Sequence, residues 1–220
     1  MKKIQHCIFS SLIVFIVSQS VNAQIKQGAN MIGGSIGFSS QKTSQSYIGN
    51  EQTTKYKSIS IIPSYAKAIK TNFLVGADLG YSNSVTETNN SNSLSKTKSN
   101  GFGLGVFSRH YKNLGSSGFY LFLQNRVGVD VYKSESPISE TKTNGFNIGL
   151  GLTPGIAYAI NQNVHMETAL NNLFAVTYYH NSSKNELSQP ASTKSSGFGA
   201  SVGLGNSTQF TVGVKFFFGT

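Results

Sequence analysis

Residues 143–160 read TNGFNIGLGLTPGIAYAI. From Phe146 on, their even positions are Phe146, Ile148, Leu150, Leu152, Pro154, Ile156, Tyr158 and Ile160. Their odd positions from Asn147 to Ala159 are Asn, Gly, Thr or Ala. A β-strand sends successive side chains to opposite faces. This stretch therefore has one apolar face and one small or polar face. A soluble sheet can show the same alternation, so the argument rests on how often it recurs.

It recurs along the whole chain, as eight segments near residues 29–40, 54–68, 72–84, 99–111, 118–133, 143–160, 163–180 and 197–218. Ile32, Ile36 and Phe38 share a face of the first segment. Phe73, Val75, Ala77, Leu79 and Tyr81 share a face of the third. The last segment runs from Phe198 to Phe218 on even positions and exceeds the length of a minimal spanning strand. Parity is unbroken across Asn206-Ser207, which favours one long strand. Two shorter strands broken there are the alternative, and a ten-stranded barrel is also compatible with the pattern.

The ends and the composition set the context. Met1-Lys2-Lys3, the apolar run CIFSSLIVFIV and the small residues before Gln24 form an export signal, with cleavage expected after Ala23. The apolar run is too short for a spanning helix, and no later stretch is long or apolar enough. Residues 24–220 are then one domain. Cys7 lies within the leader, so the remaining chain has no thiol for disulfides, metal or nucleophilic attack. Loss of Lys2 and Lys3 lowers the formal net charge from +10 to +8. The lysines are scattered and no nucleic-acid motif is present. Anionic lipid head groups are a more natural use of the charge than nucleic acid.

Connections alternate in length. Those at residues 70–71, 112–117 and 161–162 are short. Those near 41–53, 85–98, 134–142 and 181–195 are longer and rich in Ser, Thr and Asn. Short periplasmic turns and long outer loops are the pattern of outer-membrane barrels. On the apolar face, Phe38, Tyr81, Phe102, Phe146, Tyr178 and Phe198 lie at the loop-side ends. Tyr65, Phe73, Phe119, Tyr158, Phe216 and Phe218 lie at the turn-side ends. Two aromatic bands fit two membrane–water interfaces. The pattern predicts both termini on the periplasmic side.

By parity, Asp78, Arg109, Gln124, Arg126, Asp130, Glu167 and Lys215 face the interior, with Tyr120, Phe122 and His165. Both signs of charge occur, and buried charges are tolerable only when paired. An internal ion network or a narrow gated pore would need the same residues. His165 and Glu167, two apart, could pair as base and orienter, but no nucleophile completes a set. His110 and His180 border connections. The acids Glu51, Glu87, Glu135, Glu140 and Glu186 are isolated, which gives no calcium loop. GFGLG at 101–105 lies within a strand pattern and does not open a helix, so it is no phosphate loop.

The pieces SIIPSYAKAIKTNFLVGADLGYS, GFGLGVFSRHYKN, SGFYLFLQNRVGV and FTVGVKFFF together resemble the small outer-membrane β-barrel proteins of Gram-negative bacteria. The resemblance covers residues 25–220 and concerns architecture. It implies insertion by the barrel-assembly machinery, with FTVGVKFFF resembling the closing strand that signals assembly. Here Gly219 and Thr220 follow the last aromatic residue, a departure from that pattern. The family's usual roles are passive structure, adhesion and envelope integrity.

The sequence thus predicts an all-β, eight-stranded, antiparallel up-and-down transmembrane β-barrel of the outer membrane. The expected role is non-catalytic, structural or surface-interacting, without cofactor or metal. Expected partners are outer-membrane lipid, lipopolysaccharide and an unknown extracellular ligand. The alternatives are a narrow pore and a soluble periplasmic lipocalin-like barrel.

Overall fold

The structure is a computed structural model that describes residues 24–47, 50–90, 93–137, 140–185, 191–202 and 209–219. The expected leader, residues 1–23, lies outside the described residues. Ten strands follow one another: β1 (Asn30–Tyr47), β2 (Asn50–Lys70), β3 (Phe73–Asn90), β4 (Ser93–Asn113), β5 (Phe119–Ser136), β6 (Thr141–Ala159), β7 (Val164–Asn171), β8 (Phe174–Asn185), β9 (Ala191–Val202) and β10 (Gln209–Phe218). All pairings are antiparallel. Strands β1 to β7 pair in sequence, β10 pairs with β7, and β10 returns to β1 with Asn30 opposite Phe218. Eight strands therefore close a ring at the turn end, where no strand edge is left unpaired; farther up, β9 pairs with β8 alone among the described residues.

The two extra strands arise where the seventh and eighth sequence segments divide. β6 pairs with β7 over Gly155–Ala159 and with β8 over 141–152. Gly155 faces Ala169, whereas Leu152 faces Phe174. The register thus slips by two residues around Asn172, which adopts a left-handed φ of 57°. β9 continues the wall beside β8, with Val202 opposite Phe174, and β10 resumes with Gln209 opposite Asn171. The single long closing strand expected from parity is therefore two strands. The Asn206-Ser207 break point itself lies outside the described residues.

The turn end is tightly built. Asn72 has φ 60° in the β2–β3 turn, and Gly115 and Gly118 have φ 70° and 75° in the β4–β5 turn. The Asn161 side chain accepts hydrogen bonds from the Asn163 and Val164 amides at 2.8 and 2.9 Å, an Asx-type turn. The opposite connections differ from expectation. Residues 41–53 and 85–98 are mostly strand, and the β1–β2 ladder runs to Tyr47 opposite Asn50. The β3–β4 ladder likewise runs to Asn90 opposite Ser93. Ser44–Thr53, Thr54–Thr88, Ser99–Ser134 and Thr143–Ser183 make cross-strand hydroxyl contacts of 2.8–3.4 Å. Cross-strand pairs of this kind stabilise a sheet with polar residues on both faces.

The apolar face points outward. Phe102 is 62% exposed, Leu104 60% and Leu79 59%, while Ala66, Leu74 and Tyr120 inside are fully buried. A soluble lipocalin-like barrel needs the reverse arrangement, and this much contiguous apolar surface requires a membrane or partner. The outer aromatics pair along the rim: Phe38–Phe210, Tyr81–Phe102 and Tyr178–Phe198 have ring centroids 5.9, 5.1 and 5.0 Å apart. Phe119–Tyr158, at 4.8 Å, belongs to the other band. The stretch from Phe73 to Tyr81 between the bands matches the roughly 9–11 residues of a spanning strand.

Candidate functional site in the barrel interior

Three tiers fill the interior. At the turn end, every ring strand contributes to a plug: Met31, Ala66, Leu74, Tyr111, Tyr120, Ala157, His165 and Phe217 are all buried. Tyr111 lies 6.2 Å from Tyr120 and 5.6 Å from Phe122, and His165 lies 5.5 Å from Tyr120 and 4.6 Å from Phe217. Large side chains interdigitate with positions that have none. A Cβ on Gly155 would lie 2.2 Å from Phe122 Cζ. Such large–small pairing is how a narrow barrel is filled.

Above the plug, Glu167 joins two cations. Its Oε2 accepts a hydrogen bond from Arg109 Nη1 at 2.6 Å, and its Oε1 lies 3.3 Å from Lys215 Nζ. Arg109 also donates to the Tyr111 hydroxyl at 2.9 Å and twice to Gln124 Oε1, at 2.9 and 2.6 Å. Its guanidinium sits 4.5 Å from the Phe122 ring centroid. Lys215 further donates to Ser35 and Ser64 at 3.3 and 3.1 Å. Arg109, Glu167 and Lys215 are each buried. A desolvated group of this kind is viable because each charge meets an opposite charge and further hydrogen-bond partners.

The third tier opens toward the hairpin end. Arg126 Nε donates to both oxygens of Asp78, at 2.9 and 3.1 Å, and its Nη2 lies 3.6 Å from Asp130. Missing side chains on the neighbouring strands make room for it. A Cβ on Gly105 or Gly128 would fall 2.5 or 2.4 Å from Arg126 nitrogens, and one on Gly103 would fall 2.1 Å from Asp130. These glycines include two from the GFGLG stretch, and close approach by a luminal side chain accounts for them. The surrounding cavity has a volume of about 340 Å³. Its lining includes Ser60, Asp78, Arg126, Asp130 and Asn147 and reaches down to Glu167.

All seven interior residues singled out by parity lie on the inner face, divided between two networks: Arg109, Gln124, Glu167 and Lys215 in one, Asp78, Arg126 and Asp130 in the other. Tyr111, Ser35 and Ser64 also complete the lower network. Parity marks them as inward, but uncharged residues carry no sign that separates partners from filler. His165 and Glu167 both face inward without forming a hydrogen bond to each other; both imidazole nitrogens lack a partner among the described residues. His110 points outward beside Phe73, 6.3 Å away. Among the described residues, no His, Cys, Asp and Glu group is arranged to hold a metal.

On the projecting hairpins, Lys96 donates to Glu87 at 2.7 Å and Lys133 lies 2.7 Å from Glu135. The hydrogen bond from Lys96 and its positive charge hold the Glu87 carboxyl below the usual glutamate range. Lys133 does the same for Glu135.

A closed antiparallel ring with an apolar exterior, two aromatic bands and a polar, ion-paired interior defines the outer-membrane class of β-barrel. Among solved structures, the chain is similar to the outer membrane protein OprG from Pseudomonas aeruginosa, with a TM-score of 0.55 and 13% identity over 89% of this chain and 98% of that one. It also matches Neisserial surface protein A (NspA), with a TM-score of 0.43 and 16% identity over 87% of this chain and 98% of that one. The translocator domain of the autotransporter NalP from Neisseria meningitidis matches with a TM-score of 0.38 and 15% identity, over 99% of this chain and 98% of that one. No family model and no curated protein matches. At these identities the likeness is one of fold.

Proposed function

We propose that this protein is a non-catalytic, surface-interacting barrel of the outer membrane. In this reading the hairpin end faces outward, both termini face the periplasm, and the β1–β2 and β3–β4 hairpins carry the contacts. One observation carries the proposal: these ladders continue as paired polar strands well beyond the outer aromatic band, while the interior is filled at the other end. From Ser39 opposite Ser58 to Tyr47 opposite Asn50 the ladder extends roughly 30 Å at about 3.3 Å per residue. Such a projection is stiffer than a loop and displays Ser, Thr, Asn and Lys on both faces. The plug argues against an open channel, and the solitary His165 offers no nucleophile–base set. Insertion by the barrel-assembly machinery is part of the same reading.

The test pairs two variants. An epitope inserted between Asn90 and Ser93 should be labelled on intact cells. Replacing residues 42–55 and 86–97 with tight turns should leave a heat-modifiable, β-rich barrel while abolishing the adherence of expressing cells to surfaces. Labelling only after permeabilisation would overturn the orientation. Adherence unchanged by trimming, or discrete conductance by the wild type, would overturn the role.

A further inference from the structure

The acids and bases are distributed unequally along the barrel axis. Among the described residues, Glu51, Glu87, Glu135 and Glu140 belong to the hairpin half, and Asp78, Asp130 and Glu167 to the interior. These are the acidic side chains of the described residues, and none of them lies on the outer surface of the turn end. That end nevertheless carries Lys26, Lys67, Lys70 and Lys112, all exposed, with His110. None of the four lysines has an acidic partner among the described residues.

The lysines are also gathered on one side. Lys67 and Lys70 end β2, Lys112 ends β4, and β3 lies between those strands. Lys26 belongs to the segment folded beneath the same turn: the Asn72 amide donates to the Ile25 carbonyl at 2.9 Å, and the Gly28 amide donates to the Ala68 carbonyl at 2.8 Å. The Tyr111 amide in turn donates to the Asn72 carbonyl at 2.8 Å. These bonds tie the N-terminal segment, the β2–β3 turn and the end of β4 into one surface. The remaining turns, Leu114–Gly118 and 160–163, are uncharged.

The surroundings identify the kind of partner. Lys67 lies between Tyr65 and Ile69 on the outward face and opposite Val75. Lys112 lies on that face opposite Leu121. Tyr65, Ile69, Val75 and Leu121 are 40–55% exposed apolar residues of the membrane belt. A lysine there extends its alkyl stem along apolar surface and lifts its ammonium group to the head-group level. A soluble polymer would have to displace lipid to reach it. A phosphate on a neighbouring lipid is already in place.

The geometry points to a binding arc for anionic phospholipid on the β2–β4 side of the turn end, in the inner leaflet. This inference rests on the membrane placement proposed above. The arc would collect phosphatidylglycerol or cardiolipin head groups on one flank, leaving the β5–β7 flank to zwitterionic lipid. Each surface lysine contributes roughly a five-fold preference for anionic lipid, weakened by salt.

The experiment uses the folded full-length barrel reconstituted in phosphatidylcholine vesicles containing phosphatidylglycerol, with retained lipids counted by native mass spectrometry. The wild type should retain phosphatidylglycerol in excess of its bulk share. K67Q/K70Q/K112Q should reduce that excess about ten-fold or more, while K55Q/K57Q/K98Q at the hairpin end should leave it unchanged. Equal retention by the arc variant, or equal loss in the hairpin-end control, would overturn the arc. Failure of the wild type to insert into vesicles would instead refute the membrane placement. A folded, inserted barrel without phosphatidylglycerol enrichment refutes the arc alone.

Discussion

Glu167→Gln tests the interior directly. Among the described residues, Glu167 is the carboxylate within ion-pair distance of Arg109, at 2.6 Å, and of Lys215, at 3.3 Å. The amide keeps the shape of the side chain but leaves two cations desolvated without a counter-charge. Breaking a buried ion pair in this way costs about 3–5 kcal/mol. With a urea slope of about 1–3 kcal/mol per molar, the unfolding midpoint should fall by roughly 2 M. The chain contains no Trp, so the transition is best followed by circular dichroism and by the folded band on unheated gels. The companion variant Arg109→Met, Glu167→Leu, Lys215→Met replaces the whole triad with apolar groups of similar size. It should lose less stability than Glu167→Gln, because no uncompensated charge stays buried, although Gln124 loses both donors from Arg109. A Glu167→Gln midpoint indistinguishable from that of the wild type would refute the reasoning. Water from the cavity above would then be screening the triad, and its burial would have no energetic consequence.

Other perturbations read other parts of the structure. Gly105→Ala places a Cβ 2.5 Å from Arg126 Nε and should destabilise by about 1–3 kcal/mol; in an Arg126→Ala background the same change should be nearly neutral, as a double-mutant cycle can show. Phe122→Ala should cost about 3–5 kcal/mol through the cavity it leaves. Combined with Tyr120→Ala it should open the plug and introduce conductance in planar bilayers where the wild type is silent. The Glu87 carboxyl should titrate below the ordinary glutamate range by NMR and return toward it in Lys96→Gln. Because its folded value is depressed, the Glu87–Lys96 contribution to hairpin order is present above the ordinary glutamate range and is lost as pH falls through the folded value; amide exchange on β3 and β4 reports this loss.

Much of the fold was legible because the two faces of a spanning strand meet different solvents. Lipid outside and a crowded polar interior impose a period of two, so parity placed Asp78, Arg109 and Glu167 inside without any coordinate. The same period hid the division of the seventh segment. The slip at Asn172 is two residues, an even number, so Leu170 and Phe174 stay on one face and the alternation runs through unbroken. The resumption of the wall from β9 to β10 also preserves parity. The hairpin extensions were hidden for a different reason: both of their faces meet water, so no alternation distinguishes a strand such as 41–47 from a loop. Thr54 and Thr88 are recognisable as partners only once their strands are paired.

Alternation along the chain was enough to read the class of element, the sense of the faces, the two aromatic bands and the set of inward charges. Which of those charges meet depends on how the strands are staggered around the ring. Arg109 and Glu167 are 58 positions apart in the chain, and Arg126 and Asp78 are 48 apart. Periodicity fixes the direction in which a side chain leaves its strand. The shear and closure of the ring fix its height and its neighbours across the lumen. The plug has the same origin, since Phe122 fills the space that Gly155 leaves empty only because β5 and β6 pair in that register.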